Sequence, residues 1–157
     1  IPPGVNDGSQ IRLSGEGHAG ARGGPAGDLY ISLSVKQHEF FVRDGDNILY
    51  ELPINFAQAA LGAEVEVPTL EGKTKLKIPA GSQTGTVFRV KGQGIPHLRG
   101  NGRGDELVTL FVVIPDKLTD KQRQLIQELA DTLSPNNMPP TKKWKGWLDR
   151  LRTTFGA

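Results

Sequence analysis

The stretch IPAGSQTGTVFRVKGQG, residues 78–94, repeats the opening of the chain, IPPGVNDGSQIRLSGEG, residues 1–17. With Ile1 set against Ile78 the matches run without a gap: Pro2 with Pro79, Gly4 with Gly81, Gly8 with Gly85, Arg12 with Arg89, Gly15 with Gly92, and Gly17 with Gly94. Each copy then enters a loop, HAGARGGPAG at 18–27 and IPHLRGNGRG at 95–104, and leaves it through Gly-Asp, at 27–28 and 104–105. Beyond that Asp, Ile31, Leu33 and Val35 alternate with Tyr30, Ser32 and Ser34, and their counterparts are Val108, Leu110 and Val112. A period of two marks a strand with one buried face. The glycines fall where the chain must turn, because Gly accepts the positive φ that other residues avoid. A folding unit has been duplicated, and both copies read as β-rich, of the sandwich or open-barrel kind.

The second copy is preceded by a strand, LYELPINF, a short helical piece, FAQAALG, and a hairpin candidate, EVEVPTLEGKTKLKI, with a turn signal at Glu71-Gly72. No such stretch stands before Ile1, so the first copy is expected to be the back half of a domain whose front half lies outside this chain. The expected organisation is a first β unit at 1–44, a second β domain at 45–115, a helix at 116–134, a linker at 135–141 and a terminal helix at 142–157. Thr119 and Gln122 form a capping box ahead of one apolar stripe, Leu125, Ile126, Leu129, Ala130 and Leu133, which stops at Ser134-Pro135. The terminal helix gathers Trp144, Trp147, Leu148, Leu151 and Phe155 on one face, although Gly146 weakens it by about 1 kcal/mol. A face of that size needs a cover, from its own domain, a membrane surface or a second chain.

Composition narrows the function classes. At 157 residues the chain holds one ordinary domain or two small ones. There is no cysteine, hence neither a disulfide framework nor a thiolate zinc site. No apolar run approaches the roughly 18 residues of a membrane span, and the first residues lack the pattern of a signal peptide, so the expectation is a cytoplasmic protein with no membrane partner. Residues 141–157 carry Lys142, Lys143, Lys145, Arg150 and Arg152 against Asp149, a net of +4, while the whole chain is +2, which leaves −2 for residues 1–140. A basic nucleic-acid surface on the main body is therefore not supported.

Several short motifs dissolve on inspection. Arg103-Gly104-Asp105 spells a cell-adhesion tripeptide, but its twin is Ala26-Gly27-Asp28, and the shared Gly-Asp reads as a strand entry. Gly92-Gln93-Gly94 and Gly15-Glu16-Gly17 are followed by a loop and a strand, whereas a dinucleotide fingerprint opens a helix. GSQTGT lacks the lysine of a phosphate loop. His18, His38 and His97 have no ligand spacing, and Arg99, Arg103 and His97 in a Gly-rich loop read as solvated side chains rather than a phosphate grip. No nucleophile elbow, paired carboxylates or serine–histidine arrangement is present, so nothing argues for an enzyme.

The blocks IPPGVNDGSQIRLSGEG, GGPAGDLYISLSV, FVRDGDN, LPINFAQAALGAEVEVPTLEGKTKLKIPAGSQTGTVFRVKGQG and RGDELVTL, in this order over residues 1–133, resemble the C-terminal region of the bacterial DnaJ family of J-domain co-chaperones. The resemblance implies a mostly β fold: two tandem β-sandwich-like domains, the first incomplete at its N-terminus, followed by C-terminal helices. It implies a non-enzymatic role in which unfolded polypeptide clients are bound and passed to a DnaK-type chaperone, by a homodimer paired through Trp144, Trp147, Leu148, Leu151 and Phe155. The peptide groove carries over onto the strand after Gly27-Asp28, at Ile31 with Leu29 and Leu33 as same-face neighbours. The plain alternative for these three is ordinary core, since alternation predicts burial of that face. The family's His-Pro-Asp motif and its cysteine-rich zinc module are absent from this sequence, so no cofactor is expected in this chain. Competing readings are a DNA-associated J-domain paralogue and a purely structural dimerisation module.

Overall fold

In the computed structural model, which describes residues 1–138, each copy of the repeat folds back on itself at the turns its glycines mark. Strands β1 (Gln10–Leu13) and β2 (Leu29–Ser32) pair antiparallel, with Ile11 opposite Ile31 and Leu13 opposite Leu29. A hairpin follows, β3 (Phe41–Asp44) with β4 (Asn47–Asn55). Helix α1 (Phe56–Leu61) starts at Asn55, whose side chain accepts from the Gln58 amide while the Gln58 side chain accepts from the Asn55 amide. This reciprocal cap satisfies two donors that the first turn leaves free. Strands β5 (Ala63–Thr69) and β6 (Gly72–Ile78) form a second hairpin around Leu70-Glu71, with Gly72 already opposite Thr69. Strands β7 (Val87–Val90) and β8 (Glu106–Val113) complete a mostly β chain.

Four strands form one mixed sheet in the order β3-β4-β8-β7, with β4 and β8 parallel and the other pairs antiparallel. A parallel pair needs a long crossover, and here α1, the β5–β6 hairpin and β7 all lie between its strands. The crossover supplies the second layer. Leu52 and Ile54 of β4 and Val108 and Leu110 of β8 pack with Ala59 of α1, Val67 of β5 and Ile78 of β6. Val108 and Leu110 are 0 % exposed, as the period of two requires. Burying a side chain of this kind contributes about 1.5–3 kcal/mol.

The duplication extends to the hydrogen bonds. Gly8 donates to the Leu33 carbonyl and Leu33 to that of Ser9, and Gly85, Leu110 and Thr86 repeat the arrangement. Gly17 donates to Gly27 O, as Gly94 does to Gly104 O. Asp28 accepts from the Gly15 amide at 3.1 Å and from Arg12 Nε at 2.7 Å. Asp105 accepts from the Gly92 amide at 2.8 Å and lies 3.5 Å from Arg89 Nε. The shared Arg, Gly and Asp are therefore one brace across the mouth of each loop. A Cβ at Gly17 would lie 2.6 Å from Asp28 O, and one at Gly94 2.6 Å from Asp46 O, so backbone fills the space and only glycine fits. The Asp of Arg103-Gly104-Asp105 is committed to this brace, and Arg103 is paired with Glu71 at 2.7 Å.

One strand boundary differs from the sequence reading. The four-stranded sheet begins at Phe41 rather than residue 45, because β3 pairs with β4 and the 44/45 boundary cuts their turn. Four residues, FVRD, are too few to declare a period of two. Helix α2 (Asp120–Thr132), in the separate unit that begins at Pro115, starts at the Thr119–Gln122 capping box. It leaves Leu125, Leu129 and Leu133 exposed among the described residues. Trp144, Trp147, Leu148, Leu151 and Phe155 lie outside the described residues. Among the described residues no helix is long and apolar enough to cross a membrane.

Glu106 stands in the row Ile48–Glu106–Val90, 0 % exposed, and neither carboxyl oxygen has a hydrogen-bond partner. Burial pushes its pKa up to about 7. The unfolded chain releases this proton near pH 4.5 while the fold retains it to about 7, so stability falls as pH rises through that window and levels off above it. Denaturation midpoints of the wild type and Glu106→Gln, compared from pH 4.5 to 8, should diverge in the variant's favour by a few kcal/mol as pH rises. Parallel pH profiles would contradict this assignment.

Candidate functional site

Leu29, Ile31 and Leu33 lie on one face of β2 and the residue that follows it, with Leu13 and Ile11 opposite the first two across the ladder. Leu29 is 42 % and Ile31 38 % exposed, Leu13 and Val35 are exposed as well, and Leu33 and Ile11 are half-buried. Together they make a continuous apolar face. Among the described residues this face is not fully buried.

The second copy shows what such a face meets when it is covered. The twins of Ile11, Leu13, Ile31, Leu33 and Val35 are Phe88, Val90, Val108, Leu110 and Val112, in the same register. There the β5–β6 hairpin and α1 pack on them. The twin of Leu29 is the buried Glu106.

The edges differ in the same way. The Leu33–Ser9 bond sets the alternation of the β1–β2 ladder, and by that alternation the backbone groups of Tyr30 and Ser32 point away from β1. Their twins Leu107 and Thr109 belong to the edge of β8 that β4 occupies. Among the described residues no strand pairs with that edge of β2. An unpaired strand edge beside an apolar face is a template for an extended chain, with backbone groups to hydrogen-bond and apolar surface for alternate side chains.

Ile11 and Leu13 are not singled out by the sequence, although the repeat pairs them with Phe88 and Val90, and Val35 is read there on the strand's apolar face but not in the groove. Two of the loop residues read as solvated rather than as a phosphate grip have partners of their own: His97 Nδ1 lies 2.8 Å from Asp46, and Arg103 meets Glu71. Among the described residues no three His, Cys, Asp or Glu side chains gather in a way that could hold a metal ion.

A model of the DnaJ C terminal domain matches residues 1–115. The chain belongs to the DnaJ C-terminal domain family. It is 52 % identical over 155 residues to the chaperone protein DnaJ of Brevibacillus choshinensis, covering 99 % of this chain and 41 % of that protein. It is 61 % and 62 % identical over 130 residues to the proteins of the same name from Bacillus cytotoxicus and Bacillus mycoides, covering 83 % of this chain and 36 % and 35 % of those proteins. The chain thus spans about two fifths or less of the length of these relatives.

Leu33 and Leu110 are the same residue at the same place in the two copies, one half-buried and one fully buried. Leu110→Ala should cost about 2–5 kcal/mol in chemical denaturation, and Leu33→Ala clearly less. Equal costs would mean that the first face is covered as well as the second.

Proposed function

We propose that the chain is the client-binding and dimerising region of a J-domain co-chaperone. It holds extended apolar segments of unfolded polypeptides on the first β unit and delivers them to a DnaK-type chaperone. The observation that carries this reading is the apolar face of Leu13, Leu29, Ile31, Leu33 and Val35 beside an edge of β2 that no strand among the described residues pairs with. A chaperone meets clients of unrelated sequence. Strand addition suits that task because it reads the backbone that all clients share, while shallow apolar surface tolerates different side chains. Binding of this kind needs neither catalysis nor a cofactor in this chain, and it belongs in the cytoplasm with the synthesis of new chains. A net of −2 over residues 1–140 gives no basic surface for the DNA-associated alternative.

The terminal segment completes the proposal. Trp144, Trp147, Leu148, Leu151 and Phe155 pair two copies, so that two peptide sites act on one client and raise its effective affinity. A two-fold dimer is the commonest closed assembly.

Fluorescence anisotropy of an extended peptide rich in Leu and aromatic residues should give a Kd in the micromolar range, about −8 kcal/mol at 1 μM, without nucleotide. Ile31→Asp should weaken it about tenfold or more. Unchanged affinity in a folded Ile31→Asp variant would remove the site from this face. Sedimentation should show a dimer for the intact chain and a monomer for one ending at Pro140, and equal masses would reject pairing through the tail.

A further inference from the structure

The run from Gly4 to Ser9 braces the far end of β2. The Asp7 carboxylate accepts from the Val35 amide at 2.8 Å, Gly8 donates to Leu33 O at 3.0 Å and Leu33 donates to Ser9 O at 2.8 Å. In the second copy the equivalent run is anchored on its own helix, since Gly81 and Ser82 donate to Ala59 O at 2.9 and 3.1 Å. Among the described residues the first copy has no helix of that kind. Its anchor is Arg43, from β3 of the other unit. Nη1 donates to Val5 O at 2.7 Å, and Nη2 donates to Gly4 O at 3.1 Å and to Asn6 Oδ1 at 2.7 Å. Nε donates to Gly45 O at 2.8 Å, which fixes the guanidinium at its own turn. Arg43 has no twin, because position 120 is Asp.

A second close approach lies beside this contact. Gly4 has a φ of 83°, and a Cβ there would sit 2.1 Å from Pro96 O, so the run is pressed against the loop of the second copy. The covalent link from β2 to β3 is held separately. Phe40 of the link and Phe41 at the start of β3 have rings 4.6 Å apart, Phe41 is 5.8 Å from Tyr50, and His38 of the link packs on both phenylalanines at 4.5 and 4.9 Å. One flexible link would let the two β units turn about each other. Two separate attachments do not.

We infer that Arg43 is a positioning residue, which grips the Gly4 and Val5 carbonyls and the Asn6 side chain from the second β unit and thereby holds β2 in its client-binding place. The inference rests on the proposed peptide site for its functional consequence, but not for the grip itself. The planar fork of arginine reaches several acceptors in fixed directions, and a lysine ammonium in the same place acts from a single point.

Amide hydrogen exchange of the intact chain tests it, with wild type, Arg43→Ala, Arg43→Lys and Asn6→Ala compared. Arg43→Ala should speed exchange at Gly8, Leu33 and Val35 about tenfold or more while β4 and β8 keep their protection. Arg43→Lys should resemble Arg43→Ala, and Asn6→Ala should shift the same amides less. Peptide affinity should fall with protection. Unchanged exchange at the three amides in Arg43→Ala would overturn the inference. Should Arg43→Ala also unprotect β4 and β8, Asn6→Ala decides: faster exchange at the three amides supports the grip and no change rejects it. If wild type binds no peptide, the client reading fails while the exchange pattern still tests the grip.

Discussion

A strand with one apolar face must have that face covered, and the two copies meet this constraint differently. In the second copy the long crossover between β4 and β8 returns over the sheet, so α1 and the β5–β6 hairpin dry Val108 and Leu110 completely. The same residue pattern in the first copy carries the same turns, the same Asp brace and the same register, yet Ile31 stays 38 % exposed. Among the described residues one local sequence thus gives a core in one setting and a partly exposed face in the other. The hydrophobic driving force per residue is similar in both.

Small departures from the repeat are informative for the same reason. Glu106 replaces the apolar residue that Leu29 supplies in the first copy, and it puts an unpartnered carboxyl where the second copy is driest. The structure gives no reason why this position carries an acid. Arg43 works in the opposite sense, because it joins units that the duplication alone would leave connected by one link.

Much of this was legible in the sequence. The offset between Ile1 and Ile78 foretold turns, loops and paired strands. The Glu71-Gly72 signal placed a hairpin tip whose turn residues are Leu70 and Glu71, and the Thr119–Gln122 box placed the start of α2. Local signals succeed there because turn and cap chemistry is decided within a few residues. The start of the second sheet was not legible, since four residues of β3 carry no readable period and their partner is set by the register with Asn47 to Tyr50. Alternation alone did not fix the exposure of Leu29 and Ile31, as it marks a face without saying whether a second layer reaches it, and only the family resemblance pointed to a groove there. The role of Arg43 could not be read either, because the acceptors it grips in the first copy, two backbone carbonyls and the Asn6 side chain, lie 37 to 39 residues away.

Amide exchange with and without an extended apolar peptide tests the central claim, that the uncovered face and edge of the first copy receive an extended polypeptide. Saturating peptide should slow exchange at Tyr30 and Ser32, whose backbone groups line the open edge, and leave their twins Leu107 and Thr109 unchanged. Protection appearing at both pairs alike, or at neither while the peptide is bound, would contradict it.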